Sequence, residues 1–218
     1  MSGDDLVVVD SRRTDRIRRA AVALVVTLAL AACGGSDGDE AVLTGVVREP
    51  APEVDLVALP SLSDPGADVE FRARPGGLQV VYFGFTNCPD VCPTTLADLT
   101  LALRLLEPEQ EALVDVVMVT VDPDRDLDRL DDYVTSFVDD AVAAGTPDEA
   151  LLVRAGEPFG ASWTVETAED GTIEVGHSPF LYVVDDDGRL ALSWQFGVSS
   201  EDMAKDMGIL LDRDGGSA

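Results

Sequence analysis

The sequence predicts an α/β domain built on a central mixed sheet with helices on its flanks. Three observations carry that expectation. The runs "LQVVYFGF" at 78–85 and "LVDVVMVTVD" at 113–122 are almost wholly apolar, as expected of strands buried on both faces. Segments with leucines at helical spacing alternate with them. Near the C-terminus two apolar stretches are joined by an acidic turn ending in Gly188, a hairpin signal.

Taken in order, "VDLVALPS" at 54–61 alternates like a short strand, and 78–85 forms the first core strand. Residues 93–107, "PTTLADLTLALRLLE", open with proline at a first helical turn and repeat leucine at helical spacing. The second core strand is 113–122. "DLDRLDDYVTSFVDD", 126–140, reads as an amphipathic helix with acids weighted to its start, where the helix dipole favours them. "ALLVRAG" is a third short apolar run, 178–197 is the hairpin, and "SEDMAKDMGILL" is a closing helix. This order is that of a thioredoxin-like fold, expected here as one domain over residues 54–212 with a disordered tail at 213–218. No internal repeat is visible.

The N-terminus reads as an address. Five arginines between 12 and 19 precede the uncharged run "AAVALVVTLALAA", too short to span a bilayer, which needs about 20 apolar residues, but of the length of a secretory signal core. Residues 1–32 are therefore expected to be a signal peptide. The closing "LAAC" resembles a bacterial lipobox, which makes Cys33 the expected lipidation site. Residues 33–53, rich in glycine, proline and acid, read as a flexible linker. The expected location is the extracytoplasmic face of a bacterial cell membrane.

The chain has 42 acidic residues against 15 basic ones and a formal charge of −27. That balance argues against nucleic acid or an anionic lipid surface as a partner. It is compatible with cations or basic proteins, but the favoured reading is a solvated acidic surface.

With Cys33 assigned to lipid, Cys88 and Cys92 are the remaining thiols. In an oxidising compartment a disulfide, a metal site and a redox couple are all open to them. They lie between the first core strand and its helix, at the strand's carboxyl end, where open α/β sheets place their sites. The Cys-x-x-x-Cys spacing at a helix start turns both side chains one way, and the helix N-terminus favours thiolate. His177 is the only histidine of the chain and directly precedes the hairpin. In a thioredoxin-like topology that loop faces the cysteine loop, and Pro179 falls where such folds carry a cis-proline. The Ser178–Pro179 bond is therefore expected to be cis. Two thiolates and an imidazole form a soft donor set that suits Cu(I) and also accommodates Cu(II); zinc would want a fourth ligand.

"YFGFTNCPDVCPTTL", "VTVDPDRD" and "GHSPFLYVVDDDGRL", in this order, resemble the Sco/SenC family of membrane-tethered, thioredoxin-like copper proteins. The resemblance covers roughly residues 54–211. It implies copper binding through Cys88, Cys92 and His177, with Asp122 and Pro179 as supporting residues. It also implies a metallochaperone that helps assemble the CuA centre of a cytochrome c oxidase subunit. The alternative is a thiol-disulfide oxidoreductase in which Cys88 and Cys92 are a catalytic redox pair. A thiol peroxidase has less support, since Phe85 stands where such enzymes carry threonine. Two departures bear on the site: Asn87 replaces a frequent histidine, and Gly176 replaces an acid that often precedes the ligand histidine.

Overall fold

The computed structural model describes residues 42–215. The expected signal peptide, Cys33 and the last residues of the expected tail lie outside them. Nine strands run in chain order: β1 (Leu59–Pro60), β2 (Asp68–Val69), β3 (Leu78–Gly84), β4 (Val114–Thr120), β5 (Val142–Ala144), β6 (Trp163–Thr167), β7 (Ile173–His177), β8 (Phe180–Val184) and β9 (Leu190–Gln195). Among the described residues six α-helices accompany them: α1 (Val91–Arg104), α2 (Pro108–Glu111), α3 (Pro123–Asp126), α4 (Leu130–Thr135), α5 (Glu149–Gly156) and α6 (Ser200–Gly215). Among the described residues no helix is long and apolar enough to cross a membrane.

The central sheet has the order β5-β4-β3-β8-β9. β3, β4 and β5 are parallel, whereas β8 and β9 run antiparallel, which gives the expected mixed thioredoxin-like sheet. Every residue of β3 is buried, as the unbroken apolar run requires. α1 buries Cys92, Thr95, Leu96, Leu99, Ala102 and Leu103, one stripe at helical spacing. The β8–β9 turn depends on Gly188. It has φ +73°, and a Cβ there would meet Asp55 Cγ at 2.5 Å, so no other residue fits without displacing the carboxylate.

The topology sets three loops at one end of the sheet. Gly84 of β3 lies opposite Thr120 of β4, so the chain leaves both parallel strands side by side. β8 runs antiparallel to β3 with Leu181 opposite Tyr82. The residues that enter β8, including His177, therefore sit over the point where β3 delivers the cysteines.

Several expectations are revised. Of the helix expected over 126–140, only α4 (Leu130–Thr135) is a separate helix within it, and the short α3 ends at Asp126 where the expected helix begins. The run "ALLVRAG" lies in the helix α5, capped by the Asp148 side chain, which accepts from the Leu151 N–H at 3.1 Å. Of the strand expected at 54–61, only Leu59–Pro60 is strand. Residues 43–53, read from the sequence as linker, run against the sheet: Val46 exchanges backbone hydrogen bonds with Ser193, and the Leu190 N–H donates to Pro52 O.

Ser178–Pro179 is trans, against expectation, since the one cis peptide bond of the described residues is Glu49–Pro50. The reason lies in the β6–β7 hairpin, which the strand pattern of 178–197 left out. His177 is the last residue of β7 and pairs with Trp163. Beyond it the Ser178 N–H donates to Ser162 O at 2.8 Å, and Pro179 O accepts from the Phe196 N–H at 2.9 Å. The ladder therefore carries the chain from β7 into β8 without a cis turn. Pro179 occupies the threshold of the strand, where no ladder donor is required of it.

Candidate metal centre

The Sγ atoms of Cys88 and Cys92 and a ring nitrogen of His177 all lie within 4.8 Å of one another. Cys88 stands in the loop after β3 and is half-buried; Cys92 is in the first turn of α1 and fully buried. The Cys92 N–H donates to Cys88 Sγ at 3.2 Å, so an otherwise unpaired amide of the helix start is directed at a sulfur. His177 Nε2 is 3.5 Å from Cys92 Sγ, although 85 positions separate the two residues.

The imidazole is held on three sides. Its Nδ1 is 3.2 Å from the Ser178 carbonyl, and a proton on Nδ1 donated there leaves the Nε2 lone pair facing Cys92. A backbone carbonyl thus does what an acid at position 176 would do for a ligand histidine, which accounts for the tolerance of Gly176. The rings of Tyr82 and Phe85 meet the imidazole edge to face, with centroids at 5.9 and 5.7 Å. Burial pushes the His177 pKa below its usual value, so the ring is neutral at neutral pH and free to donate its lone pair. The hairpin that carries His177 is itself anchored, because Trp163 stacks on Phe83 with centroids 6.1 Å apart and planes 8° from parallel.

Cys92 departs from the expected thiolate character of both sulfurs. Burial pushes its pKa up to about 12. The helix terminus is outweighed by the loss of solvent around a sulfur with no exposed surface.

Asp122 is buried, as a supporting residue should be, but its carboxylate binds Arg125, whose Nε donates at 2.5 Å. It makes no side-chain cap to α3. The acid that shapes the cysteine loop is Asp126, which the sequence reading passed over. Fully buried, it accepts from the Thr86 N–H at 2.9 Å, from Thr86 Oγ1 at 2.5 Å and from Thr120 Oγ1 at 2.8 Å. It therefore ties the loop after β3 to the end of β4. Both acids belong to "DPDRD", and spacing alone does not tell which one turns inward. Asn87 is exposed beside the site. A cleft of 480 Å³ lined by Arg74, Arg104, Glu111 and Asp115 takes in none of the three donor residues, and its Arg74 is paired with Asp115.

The fold and the three donors match a known group of proteins. The SCO1/SenC family model aligns with residues 62–212, which include Cys88, Cys92, Asp122 and His177. The chain belongs to the SCO1/SenC family. Among SCO relatives, a SCO2-like protein of Rickettsia prowazekii is 29% identical over 131 residues, which cover 59% of this chain and 63% of that protein. The chain spans less than two thirds of the length of the first curated relatives it matches. The copper-bound structure of ScoI from Bradyrhizobium japonicum superposes with a TM-score of 0.60 at 25% identity, covering 70% of this chain and 95% of that one. Apo Sco1 from Thermus thermophilus gives 0.62 at 28% identity, covering 81% and 98%.

Proposed function

We propose that this protein is a copper-binding metallochaperone of the SCO1/SenC type. It takes copper as cargo on Cys88, Cys92 and His177 and delivers it to the CuA site of a cytochrome c oxidase subunit. The observation that carries this reading is the convergence of two sulfurs and one neutral imidazole nitrogen within 4.8 Å. Two soft sulfur donors with one nitrogen suit Cu(I), and the imidazole also accepts Cu(II). Copper in the Bradyrhizobium ScoI structure supports the same assignment. Cys88 is half-exposed, which offers a route by which a recipient's ligands reach the metal. Attachment to a membrane through lipidated Cys33 belongs to the same proposal and rests on the "LAAC" segment. Domain boundaries at 54 and 212 are part of it too.

The test is elemental analysis of reduced protein after anaerobic Cu(I) loading and desalting. Wild type is expected to retain one copper per chain, and Cys88→Ala, Cys92→Ala and His177→Ala to retain far less. Undiminished retention by Cys92→Ala would overturn the ligand assignment. A thiol-disulfide oxidoreductase is the second reading, favoured by the 3.2 Å contact of the Cys92 N–H with Cys88 Sγ. It needs both sulfurs but not the imidazole, so full thiol-exchange activity with no copper uptake would select it.

A further inference from the structure

Tyr82 is fully buried in β3, and its hydroxyl oxygen has no hydrogen-bond partner among the described residues. A buried hydroxyl without a partner is destabilising, and each such group in a folded protein calls for a reason. The surroundings supply one. A Cβ placed on Gly84 would lie 2.8 Å from Tyr82 Cε1 and 3.3 Å from Cys92 Sγ, so the phenol ring and the sulfur converge on the space that glycine leaves open. The same ring meets the His177 imidazole edge to face at 5.9 Å. The ring thus belongs to the immediate surroundings of two of the three donors.

We propose that Tyr82 is a positioning residue of the metal centre: its hydroxyl donates a hydrogen bond to the Cys92 sulfur when that sulfur is a thiolate ligand. This rests on the copper reading above. A neutral thiol is a weak acceptor, which leaves the hydroxyl unsatisfied, whereas a thiolate is a charged one.

A merely structural tyrosine and a metal-tuning one predict opposite patterns for Tyr82→Phe. Removing an unsatisfied hydroxyl should leave the thermal midpoint of the metal-free protein unchanged or higher. Cu(I) affinity, measured by competition with a chromophoric chelator, should fall by about tenfold, the scale of one hydrogen bond to a charged group. In the Cu(II)-loaded protein the sulfur-to-copper charge-transfer band should move to lower energy, because the sulfur loses a donor that lowers its electron density. An unchanged affinity and band would overturn the inference, as would a fall in midpoint that accompanies the loss of affinity. Wild type that binds no copper would instead overturn the function proposed above, and this inference with it; that failure is recognised because it precedes any comparison with the variant.

Discussion

At Cys92 burial and ligation pull in opposite directions. A sulfur without exposed surface holds its proton, with a pKa pushed up to about 12 by desolvation, yet only the thiolate is a metal ligand. Metal uptake therefore has to displace that proton. Cu(I) affinity is expected to rise with pH between 6 and 9, by about tenfold per unit for each proton released, as a competition titration would measure; a flat profile would exclude Cys92 as a ligand. His177, whose pKa burial lowers, adds no proton to this release above its ordinary range. The sign for stability follows from the same shift. The folded-state thiol pKa is raised above its ordinary value of 9.0, so its contribution is fully present below pH 9 and is lost as the pH rises toward 12. In metal-free protein at neutral pH, iodoacetamide should modify half-exposed Cys88 well before buried Cys92, as peptide mass mapping would resolve. Faster labelling of Cys92 would contradict the packing around it.

The β6–β7 hairpin is the element that sets ligand geometry. Its exposed residues make few demands on the core; β6 is half-buried at Trp163 and exposed along the rest. Its purchase on the domain comes through Trp163 stacked on Phe83, and His177 sits directly across from that indole. Trp163→Ala removes a stacking contact of about 1 kcal/mol beyond its buried area and frees the strand that presents the imidazole. Copper affinity should fall more than global stability does, with faster amide exchange along β7 than along β8. Equal loss of protection in both strands would show that hairpin and sheet open as one unit. On the opposite loop Asp126 has the complementary task. Asp126→Ala strands the Thr86 amide and two hydroxyls, and a cost of about 3 kcal/mol in urea denaturation is expected, the scale of two charge-assisted hydrogen bonds.

Across the whole molecule, the first described residues are clasped to the last helix. Asp206 of α6 is fully buried and accepts from the Thr44 N–H at 2.9 Å, the Gly45 N–H at 2.8 Å and Trp194 Nε1 at 2.9 Å. One carboxylate so joins residues 44–45, β9 and α6, and Val46 then pairs with Ser193. Asp206→Asn keeps the shape but forfeits the charge on three donors. It should lower stability by about 2 kcal/mol and open the segment around residue 46 to limited proteolysis. Resistance equal to wild type would mean that the β9 bridge suffices.

The sequence by itself determined β3, β4, the β8–β9 hairpin, α1, α6 and the three candidate donor residues, but not the edge strand β5 or the helix α5. Unbroken apolar runs can be buried only in a covered sheet. Cys88 and Cys92 are locked together by their spacing at a helix start, and a lone histidine before the β8 segment has few other places to go. What needed the tertiary structure was which polar side chain turns inward and what aims the imidazole. Asp122 and Asp126 share one motif, but only packing draws Asp126 to Thr86 and Thr120 while Asp122 takes Arg125. The hairpin over 163–177 alternates β-branched and polar residues around "EDG", a legible but weak signal. It escapes a search for buried strands because nearly all of it is exposed, and its register rather than a cis-proline sets His177. The fate of the sulfurs belonged to the fold as well. A helix N-terminus is written in the sequence, whereas the desolvation that outweighs it at Cys92 arises only when β3, α1 and the His177 strand close around one atom.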